Sequence, residues 1–370
     1  MQLLIQILGV LFVFTTIVFI HELGHFLVAR WCGVKIKAFS IGFGPEIFGF
    51  MDRHGTRWRF AWLPLGGYVK FIDDENAASV PSRDAVDGLA PEDREGTFQS
   101  KSVAQRAAVV AAGPIANFLL AIVVFAAMYT FIGQPRTTPR VDKVVENSAA
   151  AEAGLQKNDL IVTIDGSGVE TFSDLQRIVM TSPDRRLEIV VLRDGNHVTL
   201  FATPKRKDTT DRFGNKLQIG LLGIQRSMRP EDLKYQRYDP LTAIRKGVER
   251  TWFVIAHTMK YIFGLIAGTE NADQLGGPIK IAQIAGQAAS VSFAFLLQVG
   301  ALISISLGLI NLFPIPILDG GHLLFYAIEA IRGRPLSERV QEIGFRIGLA
   351  LILMLMVVVT WKDVVELISK

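Results

Sequence analysis

The chain has 370 residues, 50% of them hydrophobic and 20% charged, with a mean hydropathy of +0.33. That is too apolar for a wholly soluble protein and too polar for a bare bundle of membrane helices. A net charge of +4 is spread along the chain without a nucleic-acid-binding motif, so no nucleic acid partner is expected. Cys32 is the only cysteine, so an intrachain disulfide is excluded and a zinc site must use His and carboxylate ligands.

The first predicted element is an apolar helix over about 3–29. It lacks the basic n-region and small-residue cleavage site of a secretory signal, which predicts a retained membrane span. Its end carries His21-Glu22-Leu23-Gly24-His25. Residues four apart share a helix face, so two imidazoles can reach one metal ion, with Glu22 beside them to act on water. This is the H-E-x-x-H pattern of metalloproteases. Ionisable groups are expensive in an apolar helix and mark function by default.

A polar stretch with Arg30, Lys35, Lys37, Arg53, Arg57, Arg59 and Lys70 follows, and Lys101 and Arg106 introduce a second span over about 104–132. The positive-inside rule makes this stretch cytoplasmic and places the N-terminus outside. The interval 134–228 then reads as an external β-rich domain. Runs at 141–145 and 160–164 are strand-like, the second ending at Asp165-Gly166, and Asp194-Gly195 joins 187–192 to 197–201 as a hairpin. Residues 171–180 fit a short helix capped by Thr171 or Ser173. Residues 229–290 read as an external amphipathic linker. Within it 251–267 is expected to be interfacial, since Lys260 at mid-membrane would cost about 2.5–3.5 kcal/mol.

Third and fourth spans are expected over about 291–314 and 342–361, with Arg332, Arg334 and Arg339 holding the loop between them in the cytoplasm and the C-terminus outside. Directly after the third span comes Asn311-Leu-Phe-Pro-Ile-Pro-Ile-Leu-Asp319-Gly-Gly-His322. Pro314 and Pro316 break the helix, and Gly320 and Gly321 allow close backbone approach. Such irregular backbone is tolerated at membrane depth only when buried in protein or lining a wet cavity. Catalytic zinc takes three protein ligands, and Asp319 is the candidate third, with His322 competing. Two histidines plus a carboxylate have precedent among zinc hydrolases, which favours Asp319. With four spans the first and third run the same way, bringing His25 and Asp319 to the cytoplasmic side; a span at 251–267 would separate them. The expected chemistry is peptide hydrolysis, with Glu22 as general base and then general acid.

Together these residues resemble the site-2 protease family of intramembrane zinc metalloproteases, and in particular its bacterial regulator-of-sigma-E protease type. The likeness extends to Phe39-Ser-Ile-Gly42-Phe-Gly44-Pro45, Ala112-Gly113-Pro114-Ile-Ala-Asn117 and Gly276-Gly277-Pro278-Ile279. It implies Zn2+ held by His21, His25 and Asp319, Glu22 as the catalytic acid/base, and substrate contacts at Gly42 and Gly44 in a membrane-dipping β-hairpin and at Asn311. The external domain, with Ala150-Ala-Glu-Ala-Gly154 and the segment to Gly166, looks like a single PDZ domain, and 219–224 is a candidate strand and loop of its peptide groove.

The expected architecture is a polytopic α-helical membrane protein with four transmembrane helices, an inserted extracytoplasmic β-rich PDZ domain and a membrane-associated β-hairpin. Its parts are a first membrane half at 1–133, the PDZ domain at 134–228, the linker at 229–290 and a second membrane half at 291–370. The resemblance further implies a bacterial inner-membrane location and contact with the lipid bilayer. Its substrates would be pre-trimmed single-span membrane proteins such as anti-sigma factors, and remnant signal peptides. The competing reading is a membrane-anchored PDZ adaptor with a structural metal.

Overall fold

The computed structural model describes residues 1–74, 91–210, 216–225, 233–268 and 276–368. The expected boundary at 228–229 and residues 269–275 of the expected linker lie outside them. Helix α1 (Gln2–Trp31) leads into strands β1 (Ile36–Met51) and β2 (Arg57–Phe71) and helix α2 (Val103–Phe131). Then come β3 (Gln134–Thr137), β4 (Lys143–Val144), β5 (Leu160–Ile164), β6 (Ser167–Gly168), α3 (Phe172–Met180), β7 (Leu187–Arg193) and β8 (Asn196–Ala202). Strands β9 (Lys205–Thr210), β10 (Lys216–Leu221), β11 (Ile224–Gln225) and β12 (Leu233–Gln236) precede helices α4 (Pro240–Ile266), α5 (Pro278–Val291), α6 (Phe293–Asn311), α7 (Asp319–Arg332) and α8 (Glu338–Ile368).

Among the described residues, four helices are long and apolar enough to cross a membrane: Gln2–Trp31, Val103–Phe131, Phe293–Asn311 and Glu338–Val365. These are the four segments read from the sequence, so the chain is a polytopic helical membrane protein with a β-rich insert. The third stops at Asn311 rather than at 314. Pro314 has no N–H to continue the ladder and disfavours helical backbone at the residue before it. The stretch 251–267 falls in α4, which is not one of the four.

The chain divides into two compact units, one of Met1–Ala127, Leu241–Lys260 and Ala272–Lys370, the other of Met128–Pro240 and Tyr261–Asn271. In the first, β1 and β2 form an antiparallel hairpin running from Ile36↔Phe71 to Met51↔Arg57 with repeated register shifts. Gly42 and Gly44, at φ +90° and +92°, sit where the strand is irregular, a backbone that side chains rarely adopt. At the turn, Asp52 Oδ1 accepts from the amides of His54 and Thr56 at 2.8 and 3.0 Å. The base of the hairpin packs on the end of α1, with Phe39 buried between Phe26 and Trp58. Arg30 ties the two together, donating to Asp52 and Thr56 while lying over the Phe26 ring. The far arm exposes Ile47, Phe48, Met51 and Trp62.

Helix α5 packs on the first half of α1. A Cβ on Gly9 would stand 2.3 Å from Ala289 Cβ, so glycine is what allows the contact, and Val13, Ile17, Ala288, Leu296 and Val299 close the core beside it. All but the last residue of this helix lies in the 229–290 stretch read from the sequence as a linker. Its first turn is capped from another helix, since Asp363 of α8 accepts from the amides of Gly277 and Lys280 at 3.0 and 2.9 Å. A carboxylate at a helix N-terminus satisfies amides that the helix leaves open. Helix α4 buries one stripe, Ala243, Gly247 and Thr251, with Gly247 against the Ile122 carbonyl.

In the second unit β6-β5-β7-β8 form an antiparallel sheet. Asp165-Gly166 and Asp194-Gly195 each hold two successive positive φ angles, the signature of the tight turn that joins twisted strands. Helix α3 starts at a capping box of Thr171 and Asp174, which settles the cap on Thr171. Alternate residues Leu187, Ile189 and Val191 point into a core with Ile161, Ile164, Leu175 and Val179. Each fully buried aliphatic side chain of this kind contributes about 1.5–3 kcal/mol. Asp159, 1% exposed, is paired with Arg193 at 2.7 Å.

Candidate active site

His21 and His25 lie one helical turn apart near the end of α1, and Gly24 between them lets that turn press against α2. A Cβ there would come within 2.4 Å of the Ala112 carbonyl oxygen. Helix α2 is the wall behind both imidazoles. His25 Nδ1 lies 2.9 Å from the Val109 carbonyl. A carbonyl can only accept, so Nδ1 carries the proton and a neutral ring turns the Nε2 lone pair toward His21. His21 Nδ1 lies 3.2 Å from the Asn117 side-chain amide. Gly113, midway between those two contacts, leaves room for the rings.

Asp319 comes from a different part of the chain. After α6 ends, the backbone turns through Ile317 at φ +93°, a conformation rare for a β-branched residue, and α7 begins at Asp319. Cβ atoms on Gly320 and Gly321 would stand 2.3 and 2.4 Å from the carbonyls of Leu312 or Phe313 and of Ile315. The two glycines therefore let the first turn of α7 nest against carbonyls freed by the helix break. From the other side Gly348 of α8 receives Pro316; a Cβ there would stand 1.8 Å from its carbonyl oxygen.

The three side chains converge. His21 Nε2 and His25 Nε2 are 3.2 Å apart, His21 Nε2 is 3.2 Å from Asp319 Oδ2, and His25 Nε2 is 3.6 Å from Asp319 Oδ1. Their ligating atoms lie within 4.8 Å of one another. Ligands about 2.0–2.2 Å from a tetrahedral zinc ion stand about 3.3–3.6 Å apart, so these spacings fit. Asp319 Oδ2 is buried and has no hydrogen-bond donor among the described residues. Lone pairs facing one another around a buried carboxylate oxygen are stabilised by a cation between them, and three protein ligands leave a fourth position open.

Glu22 projects from α1 toward β2, with the Val69 backbone amide near its carboxylate. Gly67 gives it space, since a Cβ there would be 3.1 Å from Glu22 Cγ. Glu22, both histidines and Asp319 line one cavity of about 1300 Å³. Asn311 and His322 line it too. Asn311 Nδ2 is 3.4 Å from His21 Nε2, whereas His322 stands outside the three-residue cluster, its ring 5.3 Å from that of Phe345.

Gly42 and Gly44 do not line the cavity; the opposite strand does, through Gly66, Gly67, Tyr68 and Val69. Nothing in the sequence marked that stretch beyond its paired glycines. Sequence reasoning also missed Arg106 and Glu329, which pair at 2.7 Å on the cavity wall, both mostly buried, with Arg106 over the Tyr326 ring at 4.9 Å. An acidic residue amid the apolar positions of α7 was the available signal.

The chain is similar to known proteins along nearly its whole length. The model of peptidase family M50 matches residues 9–355. A protein of Agrobacterium fabrum named, provisionally, as a zinc metalloprotease is 48% identical, over 96% of this chain and 95% of that protein. Metalloprotease MmpA of Caulobacter vibrioides is 38% identical over 97% and 95%. The regulator of sigma-E protease RseP of Escherichia coli is 32% identical over 93% and 95%.

Proposed function

This chain belongs to peptidase family M50, and from that premise we propose that it cleaves transmembrane segments of other proteins at a zinc site formed by His21, His25 and Asp319. The enzyme is a zinc metalloprotease and a multi-pass membrane protein. The observation that carries the finer reading is the convergence of two histidines from one apolar helix and a carboxylate from beyond another on a cavity that Glu22 also lines.

Bound there, zinc supplies Lewis acidity, acidifying water and polarising a carbonyl oxygen. The chain's own residues supply the rest. Glu22 takes a proton from the attacking water as its oxygen bonds to the scissile carbonyl carbon. The same carboxyl delivers that proton to the amide nitrogen as the C–N bond breaks. The Val69 amide, near the carboxylate, helps to orient it for both transfers. Asn311, beside His21, is placed to hold the substrate backbone or the site.

A transmembrane helix must unwind to present a peptide bond. Strand β2, at Gly66–Val69 on the cavity wall, is placed to receive such a segment by adding it as a further strand. This reading moves the substrate contact from Gly42 and Gly44 to the paired strand, and leaves those glycines to bend the hairpin. The exposed apolar arm of the hairpin meets hydrocarbon.

Cytoplasmic Arg and Lys flank the spans, so the active site lies near the cytoplasmic side with both termini extracytoplasmic, in a bacterial inner membrane. The β-rich unit is a PDZ domain that turns away substrates with bulky external domains. This favours pre-trimmed single-span proteins, of the anti-sigma-factor or remnant-signal-peptide kind. The test is purified full chain, Glu22→Gln and Asp319→Asn side by side. Wild type should carry about one zinc and cleave a transmembrane peptide; Glu22→Gln should keep the metal and lose about 10²–10⁴-fold in rate; Asp319→Asn should lose both. Undiminished cleavage by Glu22→Gln would sink the mechanism.

A further inference from the structure

Asn117 is fully buried in α2, with its backbone carbonyl accepting from Ser304 Oγ at 2.9 Å. Among the described residues its side chain has one hydrogen-bonding contact, with His21 Nδ1 at 3.2 Å. Its Oδ1 is buried and has no hydrogen-bond partner among the described residues. The other edge of the same imidazole, Nε2, faces His25 Nε2 and Asp319 Oδ2, each at 3.2 Å. His21 therefore has one nitrogen committed to the three-ligand cluster and the other committed to Asn117.

A neutral imidazole carries one proton. For Nε2 to offer a lone pair to a metal, that proton must be on Nδ1, and Nδ1–H needs an acceptor. The amide NH2 group of Asn117 cannot accept, whereas its Oδ1 can. Amide oxygen and nitrogen exchange places by a half-turn about the terminal torsion, and the orientation is assigned from the surrounding hydrogen bonds. The turned amide gives the buried Oδ1 its donor and leaves His21 Nε2 unprotonated. His25 is held the same way, with the Val109 backbone carbonyl as acceptor. Val109, Gly113 and Asn117 are spaced four apart, so one stripe of α2 carries both acceptors with a gap for the two rings between them.

We propose that Asn117 is a positioning residue of the metal site, its side-chain carbonyl accepting from His21 Nδ1–H and so selecting the tautomer that binds zinc through Nε2. The inference rests on the reading of His21, His25 and Asp319 as zinc ligands. Residues placed in this way behind a metal-bound histidine orient the ring and raise its basicity, and their loss weakens metal binding without removing a ligand.

The test is zinc affinity of the detergent-solubilised full chain, by competition with a chromophoric chelator, for wild type, Asn117→Leu, Asn117→Asp and His21→Ala. Leucine keeps the branched shape and removes the acceptor; aspartate keeps an acceptor. Asn117→Leu should bind zinc about 10–100-fold more weakly than wild type, with Asn117→Asp close to wild type. If Asn117→Leu binds zinc as tightly as wild type, with or without a fall in thermal stability, or Asn117→Asp is as weak as Asn117→Leu, the inference is overturned. Failure of wild type to bind zinc, or binding by His21→Ala at wild-type affinity, instead overturns the zinc reading beneath it.

Discussion

Gly113 lies against His25: a Cβ at residue 113 would stand 2.3 Å from His25 Nε2 and 2.9 Å from His21 Cε1. One hydrogen in place of a methyl group is what lets α2 back both imidazoles. Helix propensity and site geometry oppose each other here, because alanine is better than glycine inside a helix by about 0.8–1.0 kcal/mol. Gly113→Ala is therefore expected to lose less thermal stability than the about 1–3 kcal/mol of overpacking alone, the helix propensity offsetting part of it, while weakening zinc binding by on the order of 10–100-fold, as for other changes behind a metal ligand. Metal analysis beside a melting curve checks it, and a fully metallated Gly113→Ala protein would contradict it.

Gly348 acts at a distance from the chemistry. Its contact with the Pro316 carbonyl fixes how closely α8 approaches the loop that delivers Asp319. An added methyl group must push that loop, since overpacking costs about 1–3 kcal/mol and is relieved by backbone shifts. A misplacement of about 1 Å at a reacting centre can cost 10²-fold in rate. Gly348→Ala should thus lower kcat by about that factor, read on a transmembrane peptide, although residue 348 touches neither metal nor substrate. A wild-type kcat would show that the loop absorbs the shift elsewhere.

Asp52 gives the hairpin a pH signature. Burial by itself would raise the Asp52 carboxyl, but the Arg30 guanidinium, the amides of Thr56 and His54 and the Trp58 indole outweigh it and hold it well below the usual carboxylate range. A depressed folded-state value means stability that is fully present above the unfolded value of about 3.9 and lost as pH falls through the lower folded one. Hydrogen-exchange protection of β1 and β2 should therefore hold through pH 4 and weaken only at more acid pH. In Asp52→Asn it should be lower at pH 7 and show less of this acid-dependent loss. Identical acid profiles for the two proteins would rule out this tie as the cause.

Much of the chain was legible before any coordinates. A membrane span announces itself by about 20 consecutive apolar residues, which is why all four spans were found within a few positions. The Asp-Gly turns were readable, and the helix cap was narrowed to Thr171 or Ser173, because each depends on the conformational preferences of a few adjacent residues. The histidine pair was visible for the same reason, since i and i+4 share a face of any helix.

What joins elements was legible only where a motif marked it. The sequence determined that His21, Glu22 and His25 form one constellation and that Asp319, after a broken helix, was its best partner. Only the tertiary structure decided that Val109, Gly113 and Asn117 stand behind the histidines, that β2 rather than Gly42 and Gly44 lines the cavity, and that α5 packs on α1. A helix that is apolar on every side carries no mark of which face meets a neighbour. That choice is made by close packing, where a glycine hydrogen against an imidazole or a carbonyl sets the distance, and packing is a property of two surfaces at once.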